Sequence, residues 1–159
     1  VRLNKTLLLL TKIDNNQFVE TSQVDIVAIV TESVESLSEI YASRNISVEV
    51  DLPEHYMVQI NESLAAILIS NLIKNIFVHS QPGVKARVAI EEGKLIAENE
   101  GMQELDGEHI FDRFYQASQR EGSTGLGLAL AAAICRNNNP VLKYSFVAGC
   151  HRFEVDFSH

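Results

Sequence analysis

The chain of 159 residues is long enough for one domain with a sizeable hydrophobic core. Hydrophobic residues make up 46% of it and charged residues 21%, a balance typical of globular proteins and not of disordered ones. The formal net charge of −8, without a dense basic run, argues against nucleic acid or an anionic membrane surface as the main partner.

The two cysteines, Cys135 and Cys150, form neither a disulfide framework nor a metal-binding spacing, which fits a reducing compartment. No apolar run approaches the roughly 20 residues that a membrane-spanning helix needs. No signal peptide opens the sequence. We therefore expect no direct membrane contact by this chain.

The first residues have the pattern of a helix end. Leu3, Leu7 and Leu10 recur at helical spacing, and the polar run IDNNQ then stops the pattern. A stripe this apolar predicts packing against a partner. We place a boundary here, with residues 1–16 as the end of a preceding helix and residues 17–159 as the main domain.

Two helices and two strands are predicted next. Apolar residues at mixed spacings of three and four indicate an amphipathic helix over about residues 23–42. Alternation over residues 46–52 indicates a half-buried strand, and YMVQI a short second one. The following helix is predicted to be capped by Asn61 and to run to about Ser80.

The second half predicts a hairpin, a long loop, a helix and a final strand pair. KARVAIEEG and KLIAENEG read as strands joined by a Glu-Glu-Gly turn. A polar loop over residues 102–124 precedes an alanine-rich helix, and VLKYSFVAG and HRFEVDF close the chain as an antiparallel pair. This order predicts an α+β fold, a two-layer sandwich in which about three helices cover a mixed, mostly antiparallel sheet.

The helix after Asn61 carries two asparagines one turn apart, Asn71 and Asn75, among isoleucines and leucines. Because asparagine is a mediocre helix former, this placement indicates amides that face a polar cleft. An amide oxygen suits Mg²⁺ that already carries phosphate oxygens, and an amide nitrogen can donate to a phosphate. The alternative is a pair of asparagines on a solvated helix face.

The stretch GSTGLGLAL places three glycines directly before the alanine-rich helix. Inside a helix, glycine is less favourable than alanine by about 1 kcal/mol, so the glycines must serve another purpose. A loop whose amides approach an anion at the positive end of a helix is one such purpose. The alternative is a tight loop before a buried helix.

Four segments together resemble the sequence boxes of sensor histidine kinases. NLIKNIFVHS resembles the N-box, IAENEG the first glycine box, IFDRFYQ the F-box and GSTGLGLAL the second glycine box, in the family's order. TLLLLTKIDNN resembles the end of the second dimerisation helix, which the resemblance assigns to residues 1–16. The implied fold is the Bergerat-type ATP-binding sandwich, shared with gyrase, mismatch-repair and chaperone ATPases.

The resemblance implies a site for ATP and Mg²⁺, position by position. Asn75 matches the residue that coordinates Mg²⁺, Asn71 the one that helps hold the phosphates, and His79 a residue near the sugar and phosphates. The other matches fall in the adenine pocket, the ATP lid and the phosphate-facing loop: Asn99 and Gly101, Arg113, and Gly125, Leu126 and Gly127. Two roles stay open, because His79 can instead bind helix carbonyls and Arg113 can form a surface ion pair.

Three positions depart from the family pattern. Asn99 stands where an aspartate usually accepts a hydrogen bond from the adenine amino group. Its carbonyl can still accept that bond, so we predict that adenine specificity survives with altered affinity. Gln103 replaces the second glycine of its box, and Val78 stands where a lysine or arginine is frequent. These departures motivate an alternative, a degenerate module that binds nucleotide weakly or not at all.

The resemblance implies a protein-histidine kinase of a two-component system, a cytoplasmic domain of a membrane-anchored bacterial sensor. None of the five histidines has the phosphoacceptor motif around it. The acceptor is therefore expected on the dimerisation domain of the homodimer, upstream, and a response regulator is the expected final acceptor. A serine kinase or anti-sigma factor is disfavoured by the leucine-rich start, and a gyrase-type ATPase by Asn71, which stands where a water-activating glutamate is needed.

Overall fold

The computed structural model describes residues 8–13, 15, 20–101, 111 and 127–158, with residue 79 described by its backbone only. Within these ranges the strands are Ser22–Asp25 (β1), Ser47–Asp51 (β2), Met57–Ile60 (β3), Lys85–Glu91 (β4), Lys94–Glu100 (β5), Val141–Val147 (β6) and Cys150–Asp156 (β7). The main helices are Ile26–Ile40 (α1), Glu62–His79 (α2) and Gly127–Arg136 (α3). A short 3-10 helix, Ala42–Arg44, follows α1.

Five strands form one sheet in the order β2-β4-β5-β7-β6. β2 runs parallel to β4, and the other three neighbouring pairs are antiparallel. A parallel pair needs a crossover connection, and the segment between β2 and β4 contains α2. The predicted α+β sandwich, with three helices and a mixed, mostly antiparallel sheet, is confirmed.

Both predicted hairpins are confirmed, and each turns through two residues at positive φ. Glu92 and Gly93 have φ values of 51° and 79°, and Ala148 and Gly149 have 52° and 78°. Turns of this kind match the right-handed twist of the flanking strands. They fix the register of β4 on β5 and of β6 on β7.

The prediction that a helix begins near residue 23 is wrong, because residues 22–25 form β1. This strand pairs antiparallel with β3 in a separate two-stranded sheet, with Val24 opposite Val58. The pairing joins segments distant in the chain, which a local pattern does not contain. The helix itself ends at Ile40, two residues before the predicted end, and Asn45 in the left-handed region closes the following turn.

Asp25 sets the start of α1 and ties it to the chain before β3. Its Oδ1 accepts hydrogen bonds from the backbone N–H groups of Val27 and Tyr56, both at 3.1 Å. Its Oδ2 lies 2.8 Å from Nδ1 of His55. The hydrogen bond with His55, followed by that from Tyr56, lowers the pKa of Asp25 below its ordinary value.

We expect Asp25→Ala to lower the free energy of unfolding by about 1 kcal/mol at pH 7, since it removes a helix cap. Because folding lowers the pKa of Asp25, its carboxylate contributes fully above about pH 4, and the contribution is lost as the pH falls through the folded-state pKa. Urea unfolding of both proteins at pH 7 and at pH 3 measures this. A difference that does not shrink at pH 3 would contradict the assignment.

α2 is the central helix of the domain and packs on α1, α3 and β5. Asn61 caps it as predicted, accepting a hydrogen bond from the N–H of Leu64 at 3.0 Å. Its apolar side is enclosed in the core, and these buried residues are Leu64, Ala65, Leu68, Ile69, Leu72, Ile73, Ile76 and Phe77. Among the helices in the described ranges, none is both long and apolar enough to cross a lipid bilayer.

The N-terminal helical residues 8–13 join the same core. Leu10 and Ile13 are buried in it, whereas Leu8 is 64% exposed. Leu3 and Leu7 of the predicted stripe lie outside the described residues. That residues 1–16 end a dimerisation helix stays a prediction.

The two faces of the five-stranded sheet differ in chemistry. The helix-facing side chains belong to the hydrophobic core, among them Val88, Leu95, Ala97, Phe153 and Val155. The residues between them on the strands form ion pairs, with Arg87 Nη1 at 3.1 Å from Glu98 Oε1 and Arg152 Nη2 at 3.3 Å from Glu154 Oε1. The helices therefore cover one face only, which gives the two-layer architecture.

Candidate functional site

Asn71 of α2 points toward the first residue of α3. Its Oδ1 lies 3.3 Å from the position that a Cβ atom would take on Gly127. Its Nδ2 donates to the backbone oxygen of Ile67 at 2.7 Å, so the carbonyl oxygen is the end of the amide turned toward α3. The structure thus brings together the asparagine helix and the glycine-led helix, and the missing side chain of Gly127 permits the close approach.

Asn75 lies one turn after Asn71 on the same face of α2, since positions four apart in a helix are neighbours. Its side chain is half-buried. It makes no hydrogen bond with any residue in the described part of the chain. Within the described part of the chain, neither end of this amide is engaged.

The start of α3 carries partial positive charge, opposite in sign to the partial charge of the amide oxygens on α2. The first amides of a helix have no partner within the helix, and they carry the positive end of its dipole. α3 has no acidic residue in its first turn to neutralise that end. Neutral amide oxygens on α2 next to the first N–H groups of α3 suit an anion that carries a metal cation.

A second polar element lies where α2 ends and β5 closes. Ser80 is 1% exposed and Asn99 4% exposed, and they are the buried polar residues among those the structure describes. Asn99 Nδ2 donates to Ser80 Oγ at 2.9 Å. A buried polar group that lacked such a partner would destabilise the fold by about 1–3 kcal/mol.

Gly101 leaves room for the imidazole of His151. A Cβ atom on Gly101 would overlap Nε2 and Cδ2 of this ring and lie 3.0 Å from its Cε1. His151 also lies opposite Asn99 in the β5–β7 register, and its Nδ1 is 3.0 Å from the hydroxyl of Tyr144. Burial lowers the pKa of His151, so the ring stays neutral at pH 7.

We expect Gly101→Ala to lower the free energy of unfolding by about 1–3 kcal/mol, the usual effect of overpacking. The new methyl group must displace the His151 ring from its contact with Tyr144. Chemical denaturation of Gly101→Ala, His151→Ala and the double variant tests this. The double variant is predicted to lose less than the sum of the two single losses, and simple additivity would contradict the proposed clash.

Several predicted site positions lie outside the described residues. These are Arg113, Gly125, Leu126 and Gln103, together with the side chain of His79. Val78, which stands where the resemblance would place a lysine or arginine, is a buried apolar residue, 4% exposed.

Two residues of this region were missed by sequence reasoning. Ser80 was read only as the end of a helix, and nothing local marks its contact with a residue 19 positions away. His151 was read only as part of a strand. Its position opposite Asn99 follows from the pairing of β5 with β7, so an explicit strand alignment was the one signal that would have found it.

Comparison with known protein families finds a match over the part of the chain that contains these residues. The family described as "Histidine kinase-, DNA gyrase B-, and HSP90-like ATPase" matches residues 60–151. The chain is 31% identical to a sensor-like histidine kinase, SenX3, of Mycolicibacterium smegmatis, over 73% of this chain and 33% of that protein. It is 30% identical to the sensor protein KdpD of Clostridium acetobutylicum, over 86% and 16%. The chain therefore spans a third or less of these curated relatives.

Solved structures share the fold. The histidine kinase AdeS of Acinetobacter baumannii superposes with a TM-score of 0.78 at 21% identity, covering 99% of this chain and 78% of that one. The mycobacterial sensor histidine kinase MprB gives 0.73 at 20% identity, covering 86% and 95%. At this level of identity the similarity establishes the architecture alone.

Proposed function

Because the chain belongs to the histidine kinase-, DNA gyrase B- and HSP90-like ATPase family, we propose that it is the ATP-binding catalytic domain of a sensor histidine kinase. In this role it positions Mg²⁺-ATP for transfer of the γ-phosphoryl group to a histidine outside this sequence. One observation carries the proposal: Asn71 Oδ1 lies 3.3 Å from the position that a Cβ atom would take on Gly127, so the asparagine helix and the start of the glycine-led helix lie side by side.

The residues of this cleft fit a magnesium ion bound to phosphate. Asn75 presents an amide that no described residue engages, and an amide oxygen is a ligand that Mg²⁺ accepts. We assign the metal contact to Asn75. Asn71 is assigned to holding the phosphates through their metal: its nitrogen is engaged by Ile67, and its carbonyl oxygen, which only accepts, would face the Mg²⁺ and not the phosphate oxygens. A bound Mg²⁺ would neutralise part of the negative charge of the phosphates.

The phosphates are assigned to the start of α3. Gly127 and, by the resemblance, Gly125 and Leu126 offer backbone N–H groups to phosphate oxygens, and the helix dipole favours negative charge there. His79 and Arg113 are further candidates for the sugar and phosphates. The chain's own contribution to phosphoryl transfer is then positioning and charge stabilisation rather than covalent chemistry.

The base is assigned to the region of Asn99 and Gly101. Asn99 is held by Ser80, and the ring of His151 fills the space that Gly101 leaves. An adenine amino group would donate to the carbonyl oxygen of Asn99. The neutral amide forms a weaker bond than a carboxylate would, so we expect a lower nucleotide affinity than an aspartate at this position would give.

The remaining partners follow from the proposed role. Residues 1–16 are proposed to end a dimerisation helix, and the acceptor histidine to lie on that dimerisation domain in a homodimer. In the transfer, the bond between the γ-phosphorus and the β–γ bridging oxygen breaks, ADP leaves, and a bond from the histidine nitrogen to phosphorus forms. A response regulator then takes the phosphoryl group. We propose that the whole protein is a membrane-anchored bacterial sensor with this domain in the cytoplasm.

Titration calorimetry of the chain with ATP in the presence of Mg²⁺ tests the nucleotide site. We expect saturable binding of one nucleotide per chain. Absence of saturation at millimolar ATP would contradict the proposal. It would instead support a degenerate module, which the burial of Val78 and the neutral Asn99 favour as the second candidate.

Incubation of the full-length protein with γ-labelled ATP tests the chemistry. Acid-labile label on a histidine is the expected result. Acid-stable label on serine would contradict histidine kinase activity and point to a serine kinase of the same fold.

A further inference from the structure

Ser80 and Asn99 form a buried pair at the proposed base pocket, 2.9 Å apart from nitrogen to oxygen. Neither side chain makes a second hydrogen bond with a described residue. The hydroxyl hydrogen of Ser80 and the carbonyl oxygen of Asn99 therefore have capacity left over. A ligand or water can take up this remaining hydrogen-bonding capacity.

The backbone holds both residues in place. The N–H of Ser80 donates to Ile76 at 3.1 Å, and the guanidinium of Arg44 donates to the backbone oxygen of Ser80. Asn99 lies between Ala86 on β4 and His151 on β7. Two rotations change the hydrogen bonding of the pair without moving the backbone: that of the hydroxyl hydrogen and the half-turn of the amide.

These two rotations give the pair two states, each with one hydrogen bond between Ser80 and Asn99. With Nδ2 toward Ser80, as in the structure, the hydroxyl accepts and Oδ1 of Asn99 can accept from a ligand. After a half-turn of the amide, the hydroxyl donates to Oδ1 and Nδ2 can donate to a ligand. The number of bonds between Ser80 and Asn99 is the same in both states.

Resting on the proposed function, we propose that Ser80 and Asn99 let this site accept purine nucleoside triphosphates of either kind at carbon 6. A 6-amino purine, such as adenine, pairs with Oδ1 of Asn99. A 6-oxo purine, such as hypoxanthine or guanine, pairs with Nδ2 after the half-turn. A carboxylate at position 99 has no such choice, because it only accepts. The sequence alone predicts that adenine specificity survives. Because Ser80 can bond either end of the Asn99 amide, we expect the site to accept both 6-amino and 6-oxo purines instead.

Calorimetric titrations of the chain with Mg²⁺-ATP and with Mg²⁺-ITP test this pair, since the two bases differ only at carbon 6 and the adjacent ring nitrogen. We expect the two dissociation constants of the wild-type chain to agree within about fivefold. In Asn99→Asp the preference for ATP is expected to widen by about tenfold or more, because the 6-oxo oxygen then faces a carboxylate, which has no hydrogen to donate to it.

Asn139→Asp is the matched control. Asn139 is exposed in the turn after α3, so the variant adds the same charge away from the pocket and should keep the wild-type ratio. Urea unfolding checks that Asn99→Asp folds. If the variant does not fold, the ratio of the ATP and ITP dissociation constants of the wild-type chain is the deciding measurement.

A wild-type preference for ATP above about thirtyfold would overturn the inference and leave the proposed function intact. An unchanged ratio in a folded Asn99→Asp variant would also overturn it. A wild-type chain that binds neither nucleotide would overturn both this inference and the proposed function.

Discussion

Asn75→Ala is expected to bind Mg²⁺-ATP at least about tenfold more weakly than the wild-type chain, since a lost contact to a charged group is worth about 1.5–3 kcal/mol. The residue is half-buried and makes no hydrogen bond with a described residue, so its removal should leave the free energy of unfolding within about 0.5 kcal/mol of wild type. Calorimetry and urea unfolding measure the two quantities on the same samples.

Removal of magnesium provides the sharper comparison. If Asn75 acts through the metal, the wild-type chain and Asn75→Ala should bind ATP alike in EDTA, because the contact is then absent from both. Asn139→Ala, an exposed asparagine, is the matched control and should bind as wild type does. An equal loss with and without Mg²⁺ would show that Asn75 contacts the nucleotide directly or acts only on the fold.

Phe153→Ala is expected to lower the free energy of unfolding by about 3–5 kcal/mol, the range for removal of a buried aromatic ring. Phe153 is 1% exposed, and its ring meets Tyr144 at a centroid distance of 5.1 Å. It also contacts Phe111 edge to face at 6.2 Å. Phe111 belongs to IFDRFYQ, the segment that resembles the F-box, so this contact joins that segment to the core. Urea or guanidinium unfolding measures the loss.

Phe146→Ala on the neighbouring strand serves as the control. Its ring is half-buried and tilted against His151 at a centroid distance of 5.2 Å. Folding therefore removes less of its apolar area from water than it does for Phe153. We expect a loss below about 2 kcal/mol. If the two phenylalanines proved equally important, the assignment of Phe153 as the aromatic centre of the core would be wrong.

The fold was predictable where the sequence pattern is local. The cap at Asn61, the long apolar face of α2 and the glycine at position 93 each depend on neighbours along the chain. Each of these features lies where the pattern predicts it. Such features decide element type, and the order of elements decides the class.

The missed strand shows what a local pattern leaves out. Residues 22–25 continue the apolar spacing of α1, yet Val24 lies across from Val58 in an antiparallel pair. Asp25 ends the strand and caps the helix in one residue, through contacts with Val27 and Tyr56. The interaction with Tyr56, 31 positions away, decides the boundary, and no periodicity within α1 contains it.

Part of the candidate site also follows from local sequence patterns. Asn71, Asn75 and Gly127 stand in short motifs, and the structure brings Asn71 against Gly127. From the sequence alone, the resemblance assigns the proposed adenine pocket to Asn99 and Gly101. Ser80, the partner of Asn99, comes from the end of another element, and their contact exists only after α2 packs on β5.

A crystal structure of the chain with Mg²⁺ and a nonhydrolysable ATP analogue would show whether the asparagines and the start of α3 bind the nucleotide. We expect the triphosphate between α2 and the start of α3, with a magnesium ion on the Asn75 carbonyl oxygen. The N–H groups at the start of α3 should face phosphate oxygens. A nucleotide bound elsewhere, or Asn75 turned away from the metal, would contradict it.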